Sequence, residues 1–148
     1  MPVARYVSFA AIAGLAVAGF VAAALAADVI EERQDVMKSN GDAMKALSAI
    51  AKNEAPFDAA VVQESGETIA AGLTKAKDLF PEGSGEGDTR AKPEIWQDKA
   101  DFNRHREETI TAAQALAAVT EQANFMPALA NLGNGCKGCH DKYQRPKD

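Results

Sequence analysis

The chain has 148 residues, which is enough for one domain with a modest core. Residues that favour helices are abundant, only 6% of residues are aromatic, and the Val, Ile, Thr and Tyr runs typical of strands are missing, so we expect an all-α fold. Beyond residue 26 the chain carries 15 basic and 21 acidic residues, a net charge of −6, and without a Lys/Arg-rich block it is not expected to bind nucleic acid.

Residues 1–26 have the features of a signal peptide. Arg5 precedes an uncharged, mostly apolar stretch that ends in Ala24-Leu25-Ala26, the small-x-small pattern of a signal peptidase site. An uncleaved membrane anchor is the alternative, because about 20 apolar residues can just span a bilayer. The Ala-x-Ala ending and two interrupting glycines favour cleavage after Ala26. The sequence therefore predicts a periplasmic domain at residues 27–148, with no stable membrane insertion after cleavage.

A haem-attachment motif lies close to the C-terminal end of the sequence. Cys136, Cys139 and His140 form the Cys-x-x-Cys-His pattern of c-type haem attachment. On a helix, two thiols at this spacing lie on nearly the same face, where each can add to one vinyl group of the same porphyrin edge. His140 lies about one turn beyond Cys136, so that its imidazole reaches the iron as the proximal ligand. The motif predicts one covalent haem c, and with it electron transfer or gas binding at the iron.

Two other kinds of site share parts of this pattern. A thioredoxin-like redox pair needs its Cys-x-x-Cys close to a βαβ unit, and no strand pattern precedes Cys136. A zinc site needs a second pair of ligands, but the sequence has no further cysteine and only one other histidine, His105. His105 lies among Arg104, Arg106 and Glu107, which predicts a solvated helix face. The haem interpretation is therefore favoured.

Four helices are predicted in the domain. The first extends from about Val29, behind Asp28 as N-cap, to Ala51, and the second extends from behind the N-cap Asp58 to about Leu79. The third begins near Pro93 and continues to about Glu121, and the fourth begins near Asn124 and includes the haem motif. Between the second and third, the Gly-rich segment 80–88 predicts a flexible connection. Four helices with short links imply an antiparallel up-down-up-down bundle around the haem.

Several motifs occur together along the chain. They are Arg33-Gln34-x-x-Met37, Ile95-Trp96, the haem motif almost at the C-terminus, and Tyr143 three positions after His140. In this combination the chain resembles the class II c-type cytochromes, the cytochrome c-prime family and its low-spin relatives of the cytochrome c-556 type. The likeness covers essentially the whole of residues 27–148. The stretch that begins Met37-Lys38-Ser39-Asn40-Gly41 looks closer to the low-spin branch.

The resemblance implies a four-helix bundle with haem near one end, His140 as the proximal iron ligand and Met37 over the distal face. For Arg33 two interpretations stay open, an exposed helix charge and a contact with a haem propionate. The family commonly has Arg four positions after the histidine, whereas this chain has Gln144 there and Arg145 one position later. Whether Arg145 takes over that role is left open by the sequence.

The sixth iron position decides between two functions. If the Met37 sulfur binds the iron, the site is closed and low-spin, which suits an electron carrier. If Met37 only packs in the core, the iron is five-coordinate and open to small gases. Met44 lies roughly 10 Å further along the helix, so both sulfurs cannot share one iron. Met126 is predicted to be a core residue.

The electron carrier, with Met37 and His140 as iron ligands, is the favoured interpretation, and the gas-binding protein is the alternative. An enzyme such as a peroxidase is disfavoured, because the distal face offers no acid–base side chain. The negative net charge suggests redox partner proteins with a basic docking patch. The family likeness allows either a monomer or a homodimer.

Overall fold

The helices follow one another along the chain with short links. The computed structural model describes residues 14–146, with side chains from residue 27 onward. Helix α1 spans Gly14–Ala51, and α2 spans Ala59–Lys75 and continues into a 3₁₀ turn at Ala76–Asp78. The short α3 spans Glu94–Gln97, α4 spans Lys99–Ala117 and α5 spans Gln122–Tyr143. In the described part of the chain, β structure is limited to one isolated antiparallel bridge between Ala91 and Gln144.

The four long helices α1, α2, α4 and α5 alternate in direction. The end of α2 lies beside the part of α1 that follows residue 27, where Lys75 pairs with Glu32 at 2.6 Å. The end of α2 also lies beside the first half of α4, because the Arg106 guanidinium donates to the Leu73 carbonyl at 3.1 Å. Gly135 of α5 approaches Thr109 of α4, and Tyr143 at the end of α5 contacts Asp101 at the start of α4, so these two helices are also antiparallel. The predicted all-α, up-down-up-down four-helix bundle is confirmed.

The apolar interior consists of two side-chain clusters stacked along the bundle. The lower cluster fills the end of the bundle where α1 finishes, and its buried members include Leu47, Val62, Ile69, Leu116, Phe125 and Leu132. The upper cluster lies at the opposite end, and its buried members are Val36, Ala76, Leu79, Phe80, Ile95, Phe102 and Tyr143. The aromatic rings of the upper cluster pack edge to face, with Phe80 and Phe102 centroids 4.8 Å apart.

The first helix begins earlier than predicted. We expected Asp28 to be its N-cap, but α1 is already helical at Gly14, so Asp28 lies inside the helix. No proline lies between these two positions, and a run of good helix formers propagates a helix at little cost. The predicted signal peptide, residues 1–26, falls outside the residues whose side chains are described, and its cleavage stays a prediction. None of the helices in the described part of the chain has an apolar stretch of the length needed to cross a membrane.

The predicted third helix is interrupted, and that prediction was wrong in this detail. Asp98 has φ −133° and ψ 69°, which is not helical, and its carboxylate accepts a hydrogen bond from the Asp101 amide at 3.0 Å. It therefore ends α3 and caps α4, as expected for an aspartate in this position. α4 then ends at Ala117 rather than near Glu121. By contrast, the predicted cap Asp58 is confirmed, because its carboxylate accepts from the Ala60 amide at 2.8 Å.

The segment 80–88 is held against the bundle, although its glycines predict a flexible connection. The Trp96 indole donates to the Pro81 carbonyl at 2.9 Å, and the Lys99 ammonium donates to the Phe80 carbonyl at 2.7 Å. Ser84 in the middle of the segment is 1% exposed. Glycine is still needed here, because Gly83 and Gly87 have φ of 81° and 100°.

One predicted core residue lies on the surface. Met126 is 54% exposed, whereas its neighbour Phe125 is almost completely buried beside Phe57. Consecutive helical residues point about 100° apart, so only one of the two can face the core.

Candidate functional site

The haem motif occupies the last two turns of α5. Cys136 and Cys139 are half-buried free thiols. Burial raises the pKa of both thiols, and for Cys139 burial and then the neighbouring Cys136 raise it to about 11. Partial desolvation of the imidazole, followed by the charge of Arg90, lowers the pKa of His140. At neutral pH the motif therefore presents two protonated thiols and a neutral imidazole, which is the form of histidine that binds a metal.

One flank of α1 packs against the same two clusters as the cysteines of α5. The half-buried Met37 packs against the same upper cluster as Cys139. About two turns further along α1, Met44 packs against the same lower cluster as Cys136. A Cβ added to Gly41, which lies between the two methionines, would meet no atom of the chain within 4 Å. The predicted distal residue Met37 is thus brought to the cysteine side of the bundle, beside open space.

Arg33 is a buried side chain of α1. It is 5% exposed, so the interpretation as an exposed helix charge was wrong. Its Nη2 donates to the Ser84 carbonyl at 2.9 Å, and its guanidinium lies 4.5 Å from the centre of the Phe80 ring. Its Nη1 is buried without a hydrogen-bond partner, and burial lowers the pKa of the guanidinium. A buried donor of this kind is costly unless an acceptor satisfies it, and an anion is the best acceptor for a guanidinium.

The neighbour of Arg33 reaches the same loop. The Gln34 amide donates to the Asp88 carbonyl at 2.7 Å, so that the two adjacent residues hold the loop 80–88 at its middle and at its end. From the sequence, a propionate contact was open for Arg33, whereas Gln34 had no assigned role. The structure adds that this pair fixes the loop beside the haem side of α1.

The segment that follows α5 packs against the residues before α3, and Arg145 takes part in this contact. The Arg145 amide donates to the Arg90 carbonyl at 2.8 Å, and its guanidinium donates to the Thr89 carbonyl. Gln144, in the place where the family commonly has Arg, forms the antiparallel bridge with Ala91. The Arg145 side chain thus holds the end of the chain to the segment before α3.

Sequence reasoning missed a polar cluster around Asp101 on α4. Its carboxylate accepts hydrogen bonds from Lys142 and Tyr143, the two residues that close the haem-bearing helix, and from Arg104. His105, predicted to be solvated, is 25% exposed and lies edge-on to Tyr143 with ring centroids 5.9 Å apart. A sequence pattern does not signal such a cluster, because its members come from positions about 40 residues apart.

These residues fit a covalently bound haem. The two thiols are unpaired and share one face, the imidazole follows them, and the unpartnered Nη1 of Arg33 suits a propionate carboxylate. α1 packs mainly on α2, and α5 packs mainly on α4. The structure adds no ligands for the alternative zinc site. Among the described residues, no group of three or more His, Cys, Asp or Glu is arranged to hold a metal ion.

Comparison with known proteins agrees with this assignment. Residues 28–144 match the family described as Cytochrome C'. The chain is 39% identical to cytochrome c-556 of Agrobacterium fabrum over 127 residues, which are 84% of this chain and 86% of that protein. The solved structure of cytochrome c' from Rhodopseudomonas palustris is 38% identical and has a TM-score of 0.77, with 82% of this chain and 98% of that one covered.

A second similar structure contains a bound ligand. It is the nitric oxide complex of the L16A mutant of cytochrome c prime from Alcaligenes xylosoxidans. This structure is 26% identical to the chain, with a TM-score of 0.74, and the match covers 82% of this chain and 97% of that one.

Proposed function

Because the chain belongs to the cytochrome c' family, whose members bind covalent haem c, we propose that it is a haem protein with an iron open to small gases. Cys136 and Cys139 hold the porphyrin through thioethers, and the His140 imidazole would bind the iron. The haem supplies an iron that exchanges one electron and binds diatomic gases such as nitric oxide and carbon monoxide. Export to the periplasm is part of the proposal and is supported by the signal-peptide features of residues 1–26.

The packing of Met37 is the observation that carries this proposal. Met37 is half-buried against the upper cluster, which contains Val36 of its own helix and apolar side chains from the chain around α3. A thioether already engaged in apolar packing fills space over the distal face without having to bind iron. Met37 and Gly41, one turn further along the same flank, carry no acidic, basic or hydrogen-bonding side chain. Such a distal side selects small, uncharged ligands by size and polarity.

A low-spin electron carrier with Met37 as the sixth ligand is the second candidate. It is favoured by the position of Met37 and Cys139 in one cluster and by the likeness to a cytochrome c-556. In this case the iron would be closed to gases, and the physiological partners would be redox proteins. The net charge of −6 after residue 26 would favour partners with a basic docking patch.

Optical spectra of the purified holoprotein distinguish the two candidates. We expect broad high-spin bands in the ferric and dithionite-reduced states, and an immediate spectral change when carbon monoxide is added to the reduced protein. In Met37→Ala, carbon monoxide should associate up to about tenfold faster, because displacing a packed side chain from its rotamer costs roughly 0.5–1.5 kcal/mol. Met44→Ala is the matched control and should leave the association rate within a factor of about two.

Sharp low-spin bands, a weak far-red band and no response to carbon monoxide would reject the open iron. If Met37→Ala then converted those bands to high-spin ones while Met44→Ala did not, the electron carrier would replace the gas-binding protein as the proposed function.

The proposed propionate contact of Arg33 predicts a change of reduction potential. Arg33→Met keeps an apolar stem against Phe80 but removes a buried positive charge, so the ferric state should be favoured. We expect the equilibrium constant for one-electron reduction to fall by about three- to tenfold, and a tenfold change corresponds to 59 mV. The control Lys45→Met removes the same charge from an exposed position on the same helix. Equal shifts in both variants, measured by potentiometric titration, would contradict the contact.

A further inference from the structure

The last turn of α5, the helix that carries the haem motif, is hydrogen-bonded to the carboxylate of Asp101. Lys142 and Tyr143, at the end of α5, both donate to Oδ2 of Asp101 in the first turn of α4. Arg104 donates to the other oxygen, Oδ1, of the same carboxylate. The Asp101 side chain is 19% exposed and Tyr143 is 3% exposed, so the contact lies at the edge of the upper cluster rather than in bulk water. The connection spans the two helices immediately beside Cys139 and His140.

The remaining contacts of this turn leave little freedom. The Tyr143 ring packs edge-on against Phe102, with centroids 5.2 Å apart, and its carbonyl accepts from the Lys92 amide at 3.0 Å. The Gln144 amide donates to the His140 carbonyl at 3.0 Å and closes the helix. The turn that presents His140 is therefore held by an apolar ring contact, a backbone contact and the Asp101 carboxylate. The Lys92 ammonium also donates to the Asp141 carbonyl at 3.0 Å, and Asp101 supplies the negative charge that reaches this turn from α4.

The charges facing Asp101 make its ionised state permanent near neutral pH. The facing titratable groups are Lys142 and Tyr143 from α5, Arg104 and His105 from α4, and Asp98 at the start of α4. Hydrogen bonds from Lys142, then Tyr143, then Arg104 hold the pKa of Asp101 well below its usual range. In the other direction, the negative charge of Asp101 contributes to the raised pKa of Cys139. The carboxylate is thus electrostatically close to the site of haem attachment.

We propose that Asp101 is a positioning residue for the haem: it fixes the turn that carries His140, and its negative charge stabilises the ferric iron. This inference rests on the proposed haem site but not on whether the sixth position is open. A fixed negative charge close to the iron disfavours the extra electron, so it lowers the reduction potential. The compensating cations Lys142 and Arg104 act in the opposite sense and moderate the effect.

Asp101→Asn in the holoprotein separates a charge effect from a merely structural one. Asparagine has nearly the same shape and still accepts one hydrogen bond, but it carries no charge. We expect the equilibrium constant for one-electron reduction to shift about three- to tenfold toward the ferrous state, because the effect of one lost negative charge at an effective dielectric of about 20 is partly offset by the neighbouring cations Lys142 and Arg104. The matched control, Glu108→Gln, removes the same charge from an exposed position on α4. It should shift the equilibrium less than about twofold.

Lys142→Gln gives a second variant with the opposite expected sign. It removes a cation from the same cluster and should shift the equilibrium toward the ferric state, and Lys52→Gln at the far end of α1 serves as its control. The proposal is overturned if Asp101→Asn shifts the potential no more than Glu108→Gln, or if Lys142→Gln shifts it toward the ferrous state.

The pH dependence of stability provides a readout that does not involve the iron. Because the pKa of Asp101 is depressed in the folded protein, its contribution is present above the ordinary aspartate pKa of about 3.9 and is lost as the pH falls. The difference in unfolding free energy between the wild type and Asp101→Asn should therefore be largest near pH 6–7 and shrink below about pH 4. A difference that is unchanged at pH 3 would reject the charged anchor. Failure of the gas-binding proposal would appear instead in the wild-type spectrum, so the two outcomes are distinguishable.

Discussion

Replacing both Cys136 and Cys139 by alanine is expected to abolish covalent haem attachment. These are the only two cysteines of the chain, both thiols are free, and each packs against a cluster that also contacts a methionine of α1. Without thioethers the haem can only bind reversibly, so it should be extracted by acidified acetone and be absent from the chain on a denaturing gel stained for haem. Mass spectrometry should show the mass of the polypeptide alone, whereas the wild type should carry one haem.

Single variants and a neighbouring position sharpen this result. Cys136→Ala and Cys139→Ala should each retain at most one thioether, with a correspondingly altered absorption spectrum. Lys137 lies between the cysteines and is exposed, so Lys137→Ala should leave covalent attachment complete. Haem that stays on the double variant after acid extraction would contradict the assignment of the two thiols.

A second large effect is expected from Gly66→Ala in α2. A Cβ at this position would meet the Ala113 carbonyl oxygen at 2.7 Å and the Ala117 amide nitrogen at 2.8 Å. Both atoms belong to the backbone of α4 and cannot rotate away, so the two helices would have to separate. Overpacking of this kind costs about 1–3 kcal/mol, which outweighs the helix propensity gained over glycine. Chemical denaturation of the holoprotein should therefore show a lower unfolding free energy.

The contribution of helix propensity to the unfolding free energy can be measured separately in the same helix. Ala71 is exposed on α2, and Ala71→Gly should lower the unfolding free energy by about 1 kcal/mol through helix propensity alone. If α2 and α4 were not in close contact at Gly66, then Gly66→Ala should raise stability by the same amount. An increase on Gly66→Ala would therefore disprove the close approach of the two helices.

The local sequence was sufficient for the helices and for the chemistry of haem attachment. A cap such as Asp58 acts on amides two and three residues away, and Cys136, Cys139 and His140 act together through spacing within one helix, so short-range patterns reveal both. The break at Asp98 was within reach of the same reasoning, because an aspartate preceding a helix is a preferred cap. It was overlooked because the apolar spacing continues on both sides of it.

The buried face of α1 shows where such patterns fail. Gln34, Met37 and Gly41 recur at helical spacing, but the more deeply buried side chains lie one position earlier and include the polar residues Arg33 and Asn40. Hydrophobic spacing cannot identify a buried guanidinium, because its burial depends on the Ser84 carbonyl and the Phe80 ring, about 50 residues further along the chain.

The sequence alone determined that this protein is an all-α, c-type haem protein, since helix propensity and the Cys-x-x-Cys-His spacing are local properties. Only the tertiary structure shows which polar groups lie around the site. Arg33 has a buried donor without a partner and holds the loop 80–88, and Asp101 accepts a hydrogen bond from Tyr143, three residues after His140. Those contacts join segments far apart in sequence, and the free energy of a buried charge depends on partners that only the folded chain brings together.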